Sequence, residues 1–210
     1  MEQKDLDNIS LGLELPIMES YFTIQGEGFH SGRPAYFIRT GGCDVGCHWC
    51  DTKDSWPMEG YPILSIEKIV EETIESGALI AVITGGEPVM YNLAPLTELF
   101  MSKKVEVHIE TSGAYELTGF WDWVCLSPKK TVPPHAGIHE RANELKIIIH
   151  NQDDFDWAEE HAIKVGKECK LYLQPEWSVA NEMIPKIVEF IKAQQQWTIS
   201  LQSHKYLGIP

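Results

Sequence analysis

Basic residues are scarce in this 210-residue chain: 17 Lys and Arg stand against 31 Asp and Glu, a formal net charge of −14. That balance excludes nucleic acid as a main partner, because neutralising phosphate needs a basic face. Long apolar runs are missing as well; none approaches the roughly 20 residues of a membrane span. The stretch Met1-Glu-Gln-Lys-Asp5 lacks the apolar core of a secretion signal. These absences predict a soluble, cytoplasmic protein with no membrane partner. No internal repeat stands out beyond an alternation of strand-like and helix-like segments. Cysteine is sparse too, with five in all, so their placement is informative.

Three of the five fall within eight residues, Cys43-Asp-Val-Gly-Cys47-His-Trp-Cys50, in a segment that also holds Gly41, Gly42 and Gly46. In a reducing compartment a tight group of this kind reads as a metal centre rather than a disulfide framework. Three thiolates leave one position of a four-coordinate centre unfilled. Two centres suit that spacing. One is a [4Fe-4S] cluster with an open iron. The other is a structural zinc closed by a fourth side chain, for which His48 and Cys125 are the candidates. Cys125, in Trp123-Val-Cys-Leu126, reads as a buried strand residue. Cys169, between Glu168 and Lys170, reads as a surface thiol.

Length fits one domain over residues 1–210, with residues 1 to about 13 expected as a loose arm. Extended patterns are expected around Met18–Ile24, Ala35–Arg39, Ala78–Ile83, Val105–Ile109, Trp123–Leu126, Leu145–Ile149, Leu171–Leu173 and Trp197–Leu201. Between them lie helical patterns at Ser65–Ile74, Ala94–Met101, Asp153–Val165 and Val179–Gln194. Ser65 and Asp153 are the expected caps and Gly77 a stop. Strands that read as apolar on both faces and alternate with helices favour a parallel sheet. The chain is too short for a full eight-fold barrel of about 250 residues. The expected fold is therefore α/β, a partial, open parallel β/α barrel. Strand after strand ends in polar or glycine residues: Thr84-Gly-Gly-Glu87, Glu110-Thr-Ser-Gly113, Ser127-Pro-Lys129 and Gln174-Pro-Glu176. In such folds ligands bind at the carboxyl ends of the strands.

The three cysteines together with Gly85-Gly-Glu-Pro88 resemble the radical S-adenosylmethionine (SAM) superfamily. One family within it is similar along nearly the whole chain: the 7-carboxy-7-deazaguanine synthases of queuosine and deazapurine biosynthesis. The segments that carry the resemblance include Thr23-Ile-Gln-Gly-Glu-Gly28, Phe37-Ile-Arg39, Cys50-Asp-Thr52, Thr84–Pro88, Ile109-Glu-Thr111, Ser127-Pro-Lys129, Glu144-Leu-Lys146, Gln174-Pro175 and His204–Pro210. The resemblance implies a lyase that converts 6-carboxy-5,6,7,8-tetrahydropterin to 7-carboxy-7-deazaguanine. A 5′-deoxyadenosyl radical takes hydrogen from C6, the ring contracts, and ammonia leaves. Cys43, Cys47 and Cys50 would hold the [4Fe-4S] cluster, and Thr52 would hold Mg2+. Trp49, Cys50, Asp51, Gly86, Glu110, Ser127, Pro128, Lys129, Gln174, Pro175, Glu176 and Trp177 would contact SAM. Ile24, Gln25, Gly26, Glu27, Arg39, Thr84, His204 and the carboxylate of Pro210 would contact the pterin. The resemblance further implies a homodimer and an electron donor such as flavodoxin or ferredoxin.

The side chains suit these roles. Arg39 can pair bidentately with a carboxylate. Gln25 can match the mixed donors and acceptors of an amino-pyrimidinone edge. A threonine hydroxyl suits Mg2+, which prefers oxygen ligands. Two other readings stay open. A small radical SAM activase would install a glycyl radical on a protein and would have no use for a pterin pocket. A zinc-binding interaction module would be colourless, where an iron-sulfur protein is brown.

Overall fold

The computed structural model describes residues 3–210. Its strands are β1 (Glu14–Ile24), β2 (Pro34–Thr40), β3 (Ile63–Ser65), β4 (Ile80–Gly85), β5 (Glu106–Thr111), β6 (Trp123–Leu126), β7 (Glu144–Ile149), β8 (Lys170–Pro175) and β9 (Trp197–Ile199). They form one sheet in the order β3-β1-β2-β4-β5-β6-β7-β8-β9. From β2 to β9 every neighbouring pair is parallel. At the other edge β1 runs antiparallel to both β2 and β3. The ends of the sheet do not meet, so the barrel is open, as the strand count implies. The antiparallel edge was not foreseen, and neither was β3.

The helices are α1 (Gln3–Leu11), α2 (Ile66–Glu75), α3 (Ala94–Ser102), α4 (Ile138–Arg141), α5 (Asp153–Ala162), α6 (Ala180–Ala193) and α7 (Ser203–Leu207). Helix α2 shows why they form where they do. The Ser65 hydroxyl accepts from Lys68 N, Ile66, Ile69 and Val70 are buried, and Gly77 at φ +79° follows the last turn. Strand residues Ile38, Ile83, Ile109, Leu145, Ile147 and Leu173 are buried with the apolar faces of the helices in the main core.

Period-2 alternation divides each strand between that core and the opposite face. On β7, Leu145, Ile147 and Ile149 are core, while Glu144, Lys146 and Ile148 belong to the other set; on β5 that set is Glu106, His108 and Glu110. The reading of these strands as apolar on both faces is therefore corrected. One face of the sheet is largely polar because it lines a cleft rather than a second helix layer.

Three smaller expectations also change. Residues 3–11 are not a loose arm. Ile9 is buried in the core, and Gly12 at φ +75° closes the helix with Gly12 N→Ile9 O and Leu13 N→Asn8 O bonds, a left-handed glycine stop. Helix α5 begins without a side-chain cap. Asp154, not Asp153, accepts from the amides of His150 and Asn151 at 2.7 and 2.9 Å, and the helix stops at Ala162. Cys169 is half-buried against the core, and burial pushes its thiol up to about 12. No helix among the described residues is long and apolar enough to cross a membrane.

Candidate active site

The carboxyl ends of the parallel strands open into one cleft of about 570 Å³. It gathers nearly every residue singled out from the sequence. Cys43, Cys47, Cys50, Trp49, Asp51 and Thr52 line it from the loop after β2; Thr84 and Gly86 from the end of β4; Glu110 from β5. Ser127 and Lys129 follow β6, and Gln174, Pro175, Glu176 and Trp177 end β8. Ile24, Gln25, Gly26, Glu27 and Arg39 line it from β1, the turn after β1, and β2. His204 and Pro210 complete the wall. Pro128 is the exception; it does not line the cleft.

The cysteine loop is fixed through its backbone. Gly42 N donates to Ser55 O at 2.8 Å and Cys43 N to Trp56 O at 3.0 Å. From the other side Glu87 N donates to Gly42 O at 2.8 Å, and a Cβ on Gly86 would overlap Gly42 O and Cys43 Cβ. The Gly-Gly-Glu turn and the cysteine loop thus touch main chain to main chain. All three thiols are free, and burial pushes those of Cys43 and Cys47 up. Such thiols become thiolates only with a cationic partner, which an iron-sulfur cluster supplies.

Beside this loop Lys129 is half-buried. Its Nζ donates to Ser127 O and Oγ at 2.6 and 2.7 Å and lies 5.6 Å from the centre of the Trp49 ring. Desolvation lowers its pKa, and the Cys47 charge counteracts part of that effect. Glu87, buried, accepts from the Thr111 and Ser112 hydroxyls and from Ser112 N at 2.9 Å. It ties the β4 turn to the end of β5.

The opposite half of the cleft holds a connected polar floor. Gln25 Nε2 donates to Glu110 Oε1 at 2.8 Å, and Lys146 Nζ donates to Glu110 Oε2 at 3.3 Å and to Glu27. Gln202 Nε2 donates to Glu27 at 3.0 Å and to Asp51 at 3.2 Å, and Lys205 Nζ reaches Asp51 at 2.9 Å. Burial alone would raise the Glu27 carboxyl; Lys146, helped by Gln202 and Gln174, holds it below its usual range. Burial likewise opposes charge on Lys146, but Glu110 and Glu27 keep it well above its usual value.

Arg39 donates from Nε to Glu19 at 2.7 Å and from Nη2 to Tyr21 Oη at 3.3 Å. Tyr21 stacks on Phe37 with ring centres 5.7 Å apart. Helix α7 closes this end: Ser203 N and Oγ both donate to Gly26 O, at 2.9 and 2.8 Å, and the His204 ring fills the space where a Gly26 side chain would stand. Thr23 Oγ1 donates to Pro210 O at 3.3 Å. Trp177 and Tyr206 meet edge to face at 5.4 Å. Glu176 is engaged locally, accepting from Ser178 N at 3.1 Å and Ser178 Oγ at 2.5 Å.

Sequence reading missed Lys146, Gln202, Lys205 and Glu19. The signal for Lys146 was present: a lysine two residues after a glutamate, inside an apolar strand, has no low-energy place except a polar inner face.

The model of the Radical SAM superfamily matches residues 37–124. The 7-carboxy-7-deazaguanine synthase of Flavobacterium psychrophilum is 52% identical over 96% of both chains. That of Synechocystis sp. is 46% identical over 95% of each, and that of Escherichia coli 36% identical over 94% of this chain and 100% of the relative. The crystal structure of QueE from Escherichia coli superposes with a TM-score of 0.84 at 31% identity, covering 97% of this chain and all of that one.

Proposed function

Since the chain belongs to the 7-carboxy-7-deazaguanine synthase family of radical SAM enzymes, we propose that it converts 6-carboxy-5,6,7,8-tetrahydropterin to 7-carboxy-7-deazaguanine and ammonia. One observation carries the reading: three free thiols and a cation-and-amide pocket suited to a carboxylated pterin open into the same cleft. The radical SAM family implies a [4Fe-4S] cluster and SAM; bound, they supply the 5′-deoxyadenosyl radical that takes hydrogen from C6 and starts the ring contraction.

Each part of the chain then has a task. Cys43, Cys47 and Cys50 hold the cluster. The SAM side of the cleft is Trp49, Asp51, Gly86, Glu110, Ser127, Lys129 and the Gln174–Trp177 segment. Glycine at 86 lets backbone carbonyl groups, rather than a side chain, face a ligand's amino group. The pterin side is Ile24, Gln25, Gly26, Glu27, Arg39, Thr84, His204 and Pro210. Arg39 takes the substrate carboxylate, and the Gln25 amide, held by Glu110, faces the pyrimidinone edge. Lys146 holds the Glu27 carboxyl below its usual range, so the floor carries a fixed ion pair before substrate arrives. Mg2+ is assigned to Thr52, supported by the oxygen-rich pair it forms with Asp51. The protein works in the cytoplasm as a homodimer supplied with electrons by a flavodoxin or ferredoxin.

The test is anaerobic turnover of iron-reconstituted protein with SAM, reductant, Mg2+ and the pterin, read by mass spectrometry. Formation of 7-carboxy-7-deazaguanine is the expected result. A brown protein that cleaves SAM without forming it would transfer the assignment to a protein-activating enzyme.

A further inference from the structure

Glu144 stands at the start of β7 beneath the cleft, 3% exposed, and lines a small internal cavity rather than the cleft itself. A buried carboxylate must be matched by donors or it raises the free energy of the fold. Here the donors come from the turn that follows β1 and from β6. Phe29 N donates to Oε2 at 3.2 Å, Trp123 Nε1 to the same oxygen at 3.1 Å, and Cys125 Sγ lies 3.6 Å from Oε1. Gly28, at φ +63°, has its Cα face against this carboxylate, where any Cβ would overlap Oε1 and Oε2. Phe29 also stacks on Trp123 with ring centres 4.9 Å apart.

The turn gripped this way carries Gln25, Gly26 and Glu27, all on the cleft wall. Its other side is held by Ser200 Oγ, which accepts from Gly28 N at 3.0 Å, and by Ser203 on Gly26 O. From the inner face of the sheet, Glu110 and Lys146 hold the side chains of Gln25 and Glu27, while Glu144 holds the turn's backbone at Phe29 N. Nearby His30, Glu106 and His108 do not compete as a metal site. Arg33 donates to His30 Nδ1 at 2.8 Å and to Glu106 Oε2 at 3.2 Å, so a cation already occupies the group.

Resting on the function above, we propose that Glu144 is a positioning residue for the pterin: it sets the Gln25–Glu27 turn in its binding geometry through hydrogen bonds to Phe29 N and Trp123 Nε1. What the turn needs is a two-bond acceptor of this shape, not a negative charge. Burial pushes the carboxyl up, which agrees with that requirement. Glutamine keeps an acceptor oxygen for both donors and turns its amide toward Cys125 Sγ. Alanine keeps neither.

The test compares E144Q and E144A in the full-length, cluster-loaded protein. For E144A the KM for the pterin rises about tenfold, equivalent to about 1.4 kcal/mol, while uncoupled SAM cleavage without pterin stays within about twofold. E144Q restores KM to near the wild-type value. Hydrogen exchange gives a readout that does not depend on turnover: amides of residues 25–33 exchange faster in E144A than in wild type or E144Q, with the β4 and β5 amides unchanged. An E144Q variant as impaired as E144A, or an E144A variant with wild-type KM and wild-type exchange at 25–33, overturns the proposal. If E144A does not fold, W123F replaces it and removes one of the two donors. Wild-type protein that makes no 7-carboxy-7-deazaguanine would sink the functional reading but leave the exchange comparison standing.

Discussion

Arg39 and Glu19 form an ion pair across the antiparallel edge of the sheet, Nε to Oε1 at 2.7 Å, with the arginine side chain 18% exposed and the glutamate 43%. The register of β1 against β2 places them directly opposite each other. Glu19 takes Nε and Tyr21 contacts Nη2, so the guanidinium is oriented before a substrate carboxylate arrives. Arg39→Lys loses the planar fork. Its pterin KM should rise at least about tenfold, consistent with the roughly 1.5–3 kcal/mol of a charged hydrogen bond, with SAM cleavage unaffected. Steady-state kinetics at saturating SAM check this; an unchanged KM would remove Arg39 from the carboxylate site.

Gly86 packs on the backbone of the cysteine loop. Gly86→Ala should displace Gly42 and Cys43 and lower iron incorporation well below wild type, as Cys47→Ala should abolish it. Iron and sulfide per chain after reconstitution decide both. Full loading of Cys47→Ala would take that thiol out of the ligand set.

Thr52 Oγ1 lies 3.4 Å from Asp51 Oδ1 at the cleft wall. Thr52→Ala should raise the Mg2+ concentration needed for half-maximal turnover several-fold, with maximal SAM cleavage little changed. A Mg2+ titration that superposes on wild type would exclude the hydroxyl as ligand.

His161 is buried between Trp157, at 4.2 Å, and His139, whose Nε2 is 2.8 Å from its Nδ1. Burial lowers its pKa to about 4 from an ordinary 6.5. The unfolded chain therefore binds a proton through pH 6.5 that the folded chain resists until about pH 4. This contribution to stability is complete above pH 6.5 and is lost as pH falls toward 4. Thermal melts should show Tm declining over that window, and His161→Gln should flatten the decline. An equal slope in the variant would assign the loss to other groups, such as His30, which is also lowered to about 4.

Much of the molecule was legible in the residues alone. Helix α2 could be read from its Ser65 cap, its apolar stripe and Gly77 because those signals are local. The parallel strands could be read from their core-facing apolar residues, such as Leu145, Ile147 and Ile149 on β7. Motif spacing located the cysteine loop, and strand-end polar residues located the rim, since a parallel sheet brings all its carboxyl ends to one side. What tertiary structure decided was pairing between distant segments. Residues 3–11 became a helix because Ile9 found a core that no local signal announces. Glu19 lies against Arg39 only through the register of an antiparallel edge. Lys146 acquired its charge state from Glu27 and Glu110, 119 and 36 residues away. Buried charge is fixed by its partners, and partners so remote in sequence become neighbours only when the sheet assembles.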